Sequence, residues 1–375
     1  MSGEIQPIVM PKWGLAMQEG MLAEWLVEEG ATIDKGQEIA EIETSKIANV
    51  FESPAAGVLR RRVAEEGQTL PVGALLAVLA PATVEEEAID RFVAAFQERF
   101  AEALAAGAAQ AAPEPRTVEA GGRRIRYLEV GEGAGPPVVF IHGFGGDLSS
   151  WTLNQEALSE TRRTIALDLP GHGGSDKSVA TGSLAELAEA VADFLEAMEI
   201  PRAHLVGHSL GGAVALELAL ERPGKAAGLT LVAPAGFGEE IASAYLEGFL
   251  QEKRVKKLRP VLEMLVHDPA TISREMVEEV LRYKRLDGVV EALSRIRESC
   301  FAEGRQRIEL RSRLGELAVP VQILWGREDR ILPVRQAEGL PEDVPVTVFE
   351  ACGHLAHMEK AAECNTRIAA MLERA

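Results

Sequence analysis

The sequence predicts two folded domains, a small all-β sandwich at the N-terminus and a larger α/β domain behind it. The chain has 375 residues, which is too long for one small domain. Residues 1–80 read as short alternating strands separated by glycines, the pattern of half-buried β structure. Residues 116–375 alternate apolar strands with helical patterns, which indicates a mostly parallel sheet with helices on both faces. The predicted fold class is therefore multidomain, with β structure first and α/β structure second.

The N-terminal domain is expected to consist of two small sheets packed face to face. Residues 27–36 loosely resemble residues 63–73, because each stretch carries a Glu-Gly step followed by a second glycine. This repeat implies a pseudo-twofold sandwich, and the segment between the two copies forms its central hairpin. Lys46 is predicted at the tip of that hairpin.

Residues 81–115 are predicted to connect the two domains. Apolar residues recur at helical spacing between 85 and 106, so this part is expected to be a helix. An Ala- and Pro-rich stretch follows, which suits a semi-flexible tether. A flexible tether of about ten residues spans only roughly 16–19 Å, so the first domain is expected to stay near the second.

The α/β domain contains apolar segments that are predicted to be strands at 138–141, 164–167, 203–206, 229–232, 321–325 and 346–349. Helical patterns separate them, notably 183–198 and 211–220. The alternation breaks between about 236 and 312, where a largely helical insertion is predicted. Such an insertion is expected to cap the carboxyl ends of the strands, where ligands bind in sheets of this kind.

Composition and charge argue against several classes of function. The formal net charge is −19, and such a surface repels the polyanionic backbone of nucleic acids. No stretch approaches the roughly 18 consecutive apolar residues of a membrane span, and the N-terminus shows no pattern of a secretion signal. Three distant cysteines, Cys300, Cys352 and Cys364, are expected to be reduced thiols of a cytoplasmic protein.

A serine nucleophile is predicted where an apolar strand turns into a helix of small residues. The turn reads Gly207-His-Ser209-Leu-Gly-Gly212, the G-x-S-x-G pattern of the nucleophile elbow in α/β-hydrolases. The glycines allow the backbone to turn sharply and leave the serine accessible. The N-terminus of the following helix favours negative charge on an oxyanion. Ser209 is therefore the candidate nucleophile.

A serine nucleophile needs a base and an acid that orients it. Asp329 and His354 each follow a predicted strand, and the chain order Ser, Asp, His is the one expected for this fold. Glu328 and Asp343 compete with Asp329 for the role of the acid, and His357 competes with His354 for the base. Asp329 and His354 are preferred because each comes directly after its strand.

The oxyanion hole is expected from backbone N–H groups. One belongs to Leu210, directly after the nucleophile, and the other is assigned to Phe144 in the Gly-rich loop after the first buried strand. His142, His172 and His208 are expected to be structural. His172 and Asp176 also have the H-x-x-x-D spacing of another acyltransferase class, but they lie in a Gly-rich loop and are not expected to be catalytic.

The motif around Lys46 is Glu43-Thr-Ser-Lys-Ile47. Together with Met10-Pro-Lys-Trp-Gly14 and Ser53-Pro-Ala-Ala-Gly57, it resembles the lipoyl domains of 2-oxo acid dehydrogenase acyltransferases over nearly all of residues 5–80. The resemblance implies that lipoate is attached covalently to Lys46. Ser45 departs from the family, which usually has Asp before the lysine. Biotin carriers resemble this fold too, but they flank the lysine with methionines, which are absent here.

The whole chain is similar to the dihydrolipoyllysine-residue acetyltransferase components of acetoin dehydrogenase complexes, in which a lipoyl domain is fused to an α/β-hydrolase domain. The shared stretches are 142–151, 168–172 and 207–212. The resemblance implies that a thiamine-dependent acetoin-cleaving component loads an acetyl group onto the Lys46 arm and that this chain passes it to coenzyme A. It also implies dihydrolipoamide dehydrogenase as a partner.

Two other classes of function remain open, an ester or thioester hydrolase that carries a lipoyl domain and a non-catalytic scaffold. The basic stretch 253–259 in the predicted cap either holds coenzyme A phosphates or an acidic carrier domain, or is a solvated helix face. The residues leave open the acyl group, transfer through an acetyl-serine or directly, and the assembly, with a homo-oligomer as one alternative.

Overall fold

The structure is a computed structural model that describes residues 5–11, 19–43, 48–109 and 113–374. The chain divides into two compact units, Met1–Ala112 and Pro113–Ala375. Lys46 lies outside the described residues.

The first unit is a sandwich of two antiparallel sheets. Its strands are β1 (Gln6–Val9), β2 (Glu19–Trp25), β3 (Thr32–Ile33), β4 (Glu38–Glu43), β5 (Ala48–Glu52), β6 (Gly57–Arg62), β7 (Thr69–Pro71) and β8 (Leu75–Leu79). One sheet has the order β1-β8-β6-β3 and the other β5-β4-β2-β7. Buried residues such as Leu22, Ile42 and Leu76 fill the space between them. Gly30 and Gly67 have similar positive φ values, 88° and 80°. The internal repeat of the sequence therefore corresponds to two turns of similar conformation.

Helix α1 (Glu86–Ala109) packs against this sandwich. Ile89 is fully buried against Leu75 and Val78 of β8. Arg61 adds exposed ion pairs with Glu86 at 2.9 Å and with Asp90 at 2.8 Å. Exposed pairs contribute little, so the apolar contact holds the helix in place. Much of the predicted connector is therefore part of the first unit.

The second unit is built on one large sheet. Its strands are β9 (Arg116–Ala120), β10 (Arg123–Val130), β11 (Val138–Ile141), β12 (Thr164–Leu167), β13 (Ala203–His208), β14 (Ala226–Val232), β15 (Val321–Gly326) and β16 (Val346–Phe349). The order is β16-β15-β14-β13-β11-β12-β10-β9. Strands β11 to β16 pair in parallel, whereas β9 and β10 form an antiparallel hairpin at one edge.

Helices cover both faces of this sheet. They are α2 (Thr152–Leu158), α3 (Leu184–Ala197), α4 (Leu210–Glu221), α5 (Ser243–Gln251), α6 (Val255–Leu262), α7 (Arg274–Lys284), α8 (Val289–Cys300), α9 (Ala356–Glu359) and α10 (Ala361–Leu372). The four residues of β11 are all apolar because both faces of this strand are buried. Val139 and Ile141 face one core cluster while Val138 and Phe140 face the other. The predicted fold class, a β sandwich followed by an α/β-hydrolase fold, is confirmed.

Helices α5 to α8 lie between β14 and β15 and form the cap. Their apolar faces, including Phe249 and Leu293, join the larger core of the second unit. Cys300, Cys352 and Cys364 are buried free thiols. In the part of the chain that the structure describes, no helix has the length and apolar character needed to cross a bilayer.

Candidate active site

Ser209 lies on the sharp turn between β13 and α4. Its φ is 52° and its ψ is −115°, a strained conformation for a residue with a side chain. Glycines make the turn possible, because a Cβ on Gly207 would lie 2.3 Å from the Gly211 carbonyl oxygen. A Cβ on Gly211 would in turn lie 2.2 Å from the carbonyl oxygen of Ile141. The turn thus places Ser209 at the carboxyl end of the central strands.

Two backbone N–H groups next to Ser209 are free to donate. Among the described residues, neither the Leu210 amide nor the Phe144 amide donates a hydrogen bond to a protein acceptor. The two segments are in contact, because a Cβ on Gly143 would lie 3.1 Å from Cβ of Ser209. The two candidate donors of the oxyanion hole thus belong to segments that adjoin each other at Ser209.

His354 and Asp329 form a buried pair in the loops after β16 and β15. His354 Nδ1 donates to Asp329 Oδ2 at 2.7 Å, and both side chains are almost fully buried. Asp329 Oδ1 accepts the amide hydrogens of Ile331 and Leu332, at 2.8 and 2.9 Å. Its Oδ2 also accepts the Trp325 indole N–H at 3.0 Å. The carboxylate is held rigidly, and the His354 Nδ1–H leaves the lone pair of Nε2 for a substrate proton.

His208 links the serine turn to the His354 loop. Its Nε2–H donates to the carbonyl oxygen of His354 at 3.0 Å, and the two rings lie 4.6 Å apart between centroids. Since His208 directly precedes Ser209, this bond ties the serine turn to the backbone of the His354 loop, although the described residues show no hydrogen bond between the Ser209 hydroxyl and the His354 ring. No motif of the sequence indicated this role for His208.

The competing residues have other partners or none. Glu328 accepts the Cys352 amide at 2.9 Å and is partly exposed, and Asp343 is exposed in the loop before β16. His357 is fully buried between Trp151 and His208, and neither of its ring nitrogens has a partner among the described residues. The structure therefore joins Asp329 to His354 by a hydrogen bond, and among the described residues none of the three alternative side chains is hydrogen-bonded to either of them.

Five buried histidines are held neutral by their surroundings. They are His142, His172, His204, His208 and His357, and in each case burial lowers the pKa of the imidazole, for the last of them to about 3. His142 shows the structural role expected from the sequence. Its Nε2 accepts the Leu169 amide at 3.0 Å, and its Nδ1–H donates to the Gly143 carbonyl at 2.8 Å.

The His172 and Asp176 pair does not form a second site. His172 Nδ1 donates to the Pro170 carbonyl at 3.0 Å, whereas Asp176 accepts the Arg124 amide at 2.8 Å. Each side chain is thus engaged in shaping its own loop.

Aromatic residues of the cap form an apolar roof over loop 143–146, called the oxyanion loop here because it contains the candidate donor Phe144. The ring of Phe144 lies 5.9 Å from Phe249 of α5 and 6.4 Å from Phe301. A Cβ on Gly145, where φ is 76°, would lie 2.5 Å from the Phe249 ring, so only glycine fits there. The Tyr245 hydroxyl is 3.4 Å from the Phe144 carbonyl oxygen. These residues cannot be identified from the sequence, because an aromatic residue in an insertion carries no local sign of the residue that it contacts.

The first unit carries the other candidate site. Strands β4 and β5 pair as an antiparallel hairpin in which Glu43 lies opposite Ala48. Lys46 is one of the four residues that join these strands and lies outside the described residues. Within the described ranges, no group of three or more His, Cys, Asp or Glu side chains is arranged to hold a metal ion.

Two family profiles match the chain. The profile of the alpha/beta hydrolase fold matches residues 136–361, and a profile described as biotin-requiring enzyme matches residues 6–79. The first covers the serine site and the cap, and the second covers the sandwich.

Relatives match the chain from end to end. The dihydrolipoyllysine-residue acetyltransferase component of the acetoin cleaving system from Cupriavidus necator is 46% identical, over 97% of this chain and 96% of its own. The component of the same name from Pseudomonas putida is 45% identical, over 99% of each chain. Among solved structures, a meta-cleavage product hydrolase from Pseudomonas fluorescens IP01 is 27% identical with a TM-score of 0.62, over 69% of this chain and 97% of its own. The chain therefore belongs to the family of dihydrolipoyllysine-residue acetyltransferase components of acetoin cleaving systems.

Proposed function

We propose that the chain transfers an acetyl group from a lipoyl arm on Lys46 to coenzyme A, as one component of an acetoin cleaving system. The observation that carries the proposal is the Asp329–His354 pair, tied through His208 to the strained turn of Ser209. The same chain also has a carrier sandwich, and Lys46 belongs to the four residues that join strands β4 and β5 in the sequence. A thiamine-dependent acetoin-cleaving component and dihydrolipoamide dehydrogenase are the proposed partners.

Covalent lipoate suits the hairpin of β4 and β5. These strands pair as far as Glu43 and Ala48, and Lys46 falls in the stretch of sequence that joins them. When bound, lipoate supplies a thiol that carries the acetyl group as a thioester. The residues of the second unit then act on that thioester as a substrate.

The first half of the transfer forms an acetyl-serine. The thioester carbonyl lies beside Ser209, and its oxygen accepts the Phe144 and Leu210 amide hydrogens. His354 Nε2 removes the hydroxyl proton as Oγ bonds to the carbonyl carbon. The carbon–sulfur bond then breaks as His354 returns the proton to the departing sulfur. Asp329 stabilises the imidazolium between these proton transfers.

The second half regenerates the serine. His354 Nε2 takes the thiol proton of coenzyme A, and the sulfur attacks the acetyl carbon of the acetyl-serine. The carbon–Oγ bond breaks, and Ser209 recovers its proton from His354. Both halves use the same donors and the same base, so one site serves two thiols in turn.

Transfer to a thiol rather than to water requires a dry site. The roof formed by Phe249, Phe301 and Phe144 surrounds the oxyanion loop with apolar surface. This roof supports a site in which an acyl group waits for a second thiol.

Rapid quenching of the enzyme with an acetyl thioester tests the covalent route. We expect mass spectrometry to find an acetyl group on the peptide that contains Ser209, and Ser209→Ala to abolish both the adduct and acetyl-CoA formation. Absence of the adduct together with an active Ser209→Ala variant would instead show that His354 activates coenzyme A directly.

A thioester hydrolase is the second candidate, because the solved meta-cleavage product hydrolase shares the fold of the second unit. The two functions differ in the fate of the acetyl group. Acetylated full-length protein is incubated with and without coenzyme A, and acetyl-CoA and free acetate are measured. Acetyl-CoA as the main product supports the transferase. Equal release of acetate in both incubations would establish the hydrolase, and no product in either would point to a scaffold.

A further inference from the structure

Exposed cations that have no carboxylate partner among the described residues lie just before helix α6 of the cap and in its first turn. These residues form the cap cation cluster, which consists of Lys253, Arg254, Lys256 and Lys257. Arg259, one turn further along, does pair with Glu263, at 2.9 Å. The cluster is unusual in a chain with a net charge of −19, where acidic residues outnumber basic ones 58 to 39.

The cluster opposes the stability of its own helix. The first turn of α6 contains no acidic residue, and Arg254 at the N-cap makes no side-chain cap. Cations at a helix N-terminus face the positive end of the helix dipole, which disfavours each of them. A bound anion would offset both the dipole and the mutual repulsion of the cations.

Lys284 adds a buried cation behind the cluster. It is only 8% exposed, and its Nζ donates to the carbonyl oxygen of Glu252 at 2.6 Å. Its ammonium also lies 5.3 Å from the centroid of the Phe249 ring. No carboxylate forms an ion pair with it among the described residues, although a buried cation is costly without one. The last residue of α7 thus carries a positive charge to the start of the cap cation cluster.

Two sets of contacts connect the cap cation cluster to the candidate active site. The segment after α6 reaches the catalytic loop, because the Leu265 carbonyl accepts the His354 amide at 2.8 Å. Helix α6 has eight residues and is therefore about 12 Å long. On the other side, Phe249 lies between Lys284 and the ring of Phe144. The cations are thus connected to the backbone of the His354 loop through α6 and the short turn Glu263–Leu265 that follows it.

We propose that the cap cation cluster, with Lys284 behind it, binds the phosphate groups of coenzyme A. The inference rests on the proposed function. Coenzyme A carries its thiol at the end of a long pantetheine arm, far from its diphosphate and ribose phosphate. A site for its phosphates must therefore stand apart from Ser209 and His354 and be rich in cations. The start of α6 meets both requirements.

An acidic protein surface is the competing occupant. The buried Lys284 favours coenzyme A, because a slender phosphate ester reaches a recessed ammonium more easily than a folded surface does. The cluster supplies four of the 15 Lys and Arg in residues 236–315, a segment that carries 14 Asp and Glu in an otherwise acidic chain.

The test compares two acyl acceptors, coenzyme A and pantetheine, which has the same thiol arm without the nucleotide. The full-length double variant Lys256→Gln/Lys257→Gln is compared with wild type and with Arg274→Gln/Arg282→Gln, which removes two charges from α7 of the same cap. We expect the first variant to raise the KM for coenzyme A on the order of tenfold. Its kcat and its activity with pantetheine should stay unchanged, and the α7 variant should behave like wild type.

The outcomes separate this inference from the proposed function. Wild type that forms no acetyl-CoA contradicts the proposed function itself. Wild type that forms acetyl-CoA but uses pantetheine equally well at low salt contradicts a phosphate site. An unchanged KM for coenzyme A in the Lys256→Gln/Lys257→Gln variant would overturn the inference. If the variant then also shows a raised KM for acetylated full-length protein supplied as the acyl donor, the cluster belongs to a site for an acidic protein surface.

Discussion

The assignment of Asp329 can be tested by a change of one atom, Asp329→Asn. The carboxylate accepts four hydrogen bonds, two on each oxygen. An amide group has only one accepting oxygen, so its NH₂ must replace either Oδ1 or Oδ2. At Oδ1 it would face the Ile331 and Leu332 amides, which have no alternative acceptor. At Oδ2 it faces the Trp325 indole, which keeps a second acceptor in the Leu332 carbonyl at 3.0 Å. The amide is therefore expected at Oδ2.

That orientation reverses the hydrogen bond to His354. The asparagine donates to Nδ1, so the imidazole must carry its proton on Nε2 and loses the lone pair that receives the proton of Ser209. The loss of a proper base tautomer lowers kcat on the order of ten-thousand-fold in serine hydrolases that have been altered in this way. The folded state also loses hydrogen bonds to a charged group, which costs about 1.5–3 kcal/mol of unfolding free energy.

Acetyl transfer from acetyl-dihydrolipoamide to coenzyme A is the appropriate assay, with thermal melting measured in parallel. The matched control is Glu328→Gln, the same chemical change on the adjacent carboxylate. Its single bond from the Cys352 amide can be accepted by the glutamine oxygen, so turnover should stay within about threefold of wild type. An active Asp329→Asn beside an inactive Glu328→Gln would refute the assignment.

Three further perturbations test the folded state. The five buried histidines have lowered pKa values in the folded chain and titrate near 6.5 when unfolded. The unfolded state therefore binds more protons below pH 6.5. As the pH falls below this value, the unfolding free energy should decrease by up to about 1.4 kcal/mol per pH unit for each histidine. Denaturant titrations between about pH 7 and 5 that show constant stability would contradict this. Burial alone would raise the pKa of Glu186, but hydrogen bonds from the Ala180, Thr181 and Gly182 amides outweigh it and lower the pKa to about 2. Its stabilisation is present above the unfolded pKa of about 4.5 and disappears as the pH falls towards 2, so Glu186→Gln should lose about 2–3 kcal/mol in melting at neutral pH and less in acid. Gly211→Ala should prevent soluble expression, because its Cβ would meet a backbone oxygen at 2.2 Å, whereas Gly224→Ala, with no atom within 4 Å, should leave the yield unchanged.

The serine turn could be predicted because its constraints are local. A buried strand, a strained residue and the glycines that permit close packing all fall within residues 203–212. Asp329 and His354 can be paired from the sequence because residues directly after parallel strands meet at one edge of the sheet. In the structure these two side chains are hydrogen-bonded, while their catalytic roles remain predictions for the assays above.

Other features could not be predicted, because their partners are distant in sequence. The hairpin of β9 and β10 lies at the sheet edge, and only Ala120, Ile125 and Tyr127 of these two strands are buried, so its apolar alternation is weak. Phe249 acquires its role only when α5 folds over Gly145, more than a hundred residues away. Tertiary contact, rather than local pattern, decides such positions.

The contact between Phe249 and Gly145 has a consequence for attempts to redesign this enzyme. One way to change the acyl groups that such an enzyme accepts is to exchange its cap for that of a relative. Here the Phe249 ring occupies the space that any side chain at residue 145 would need, and the Tyr245 hydroxyl approaches the Phe144 carbonyl. A grafted cap must therefore bring its own version of loop 143–146, and libraries that vary the cap alone will also perturb the oxyanion loop.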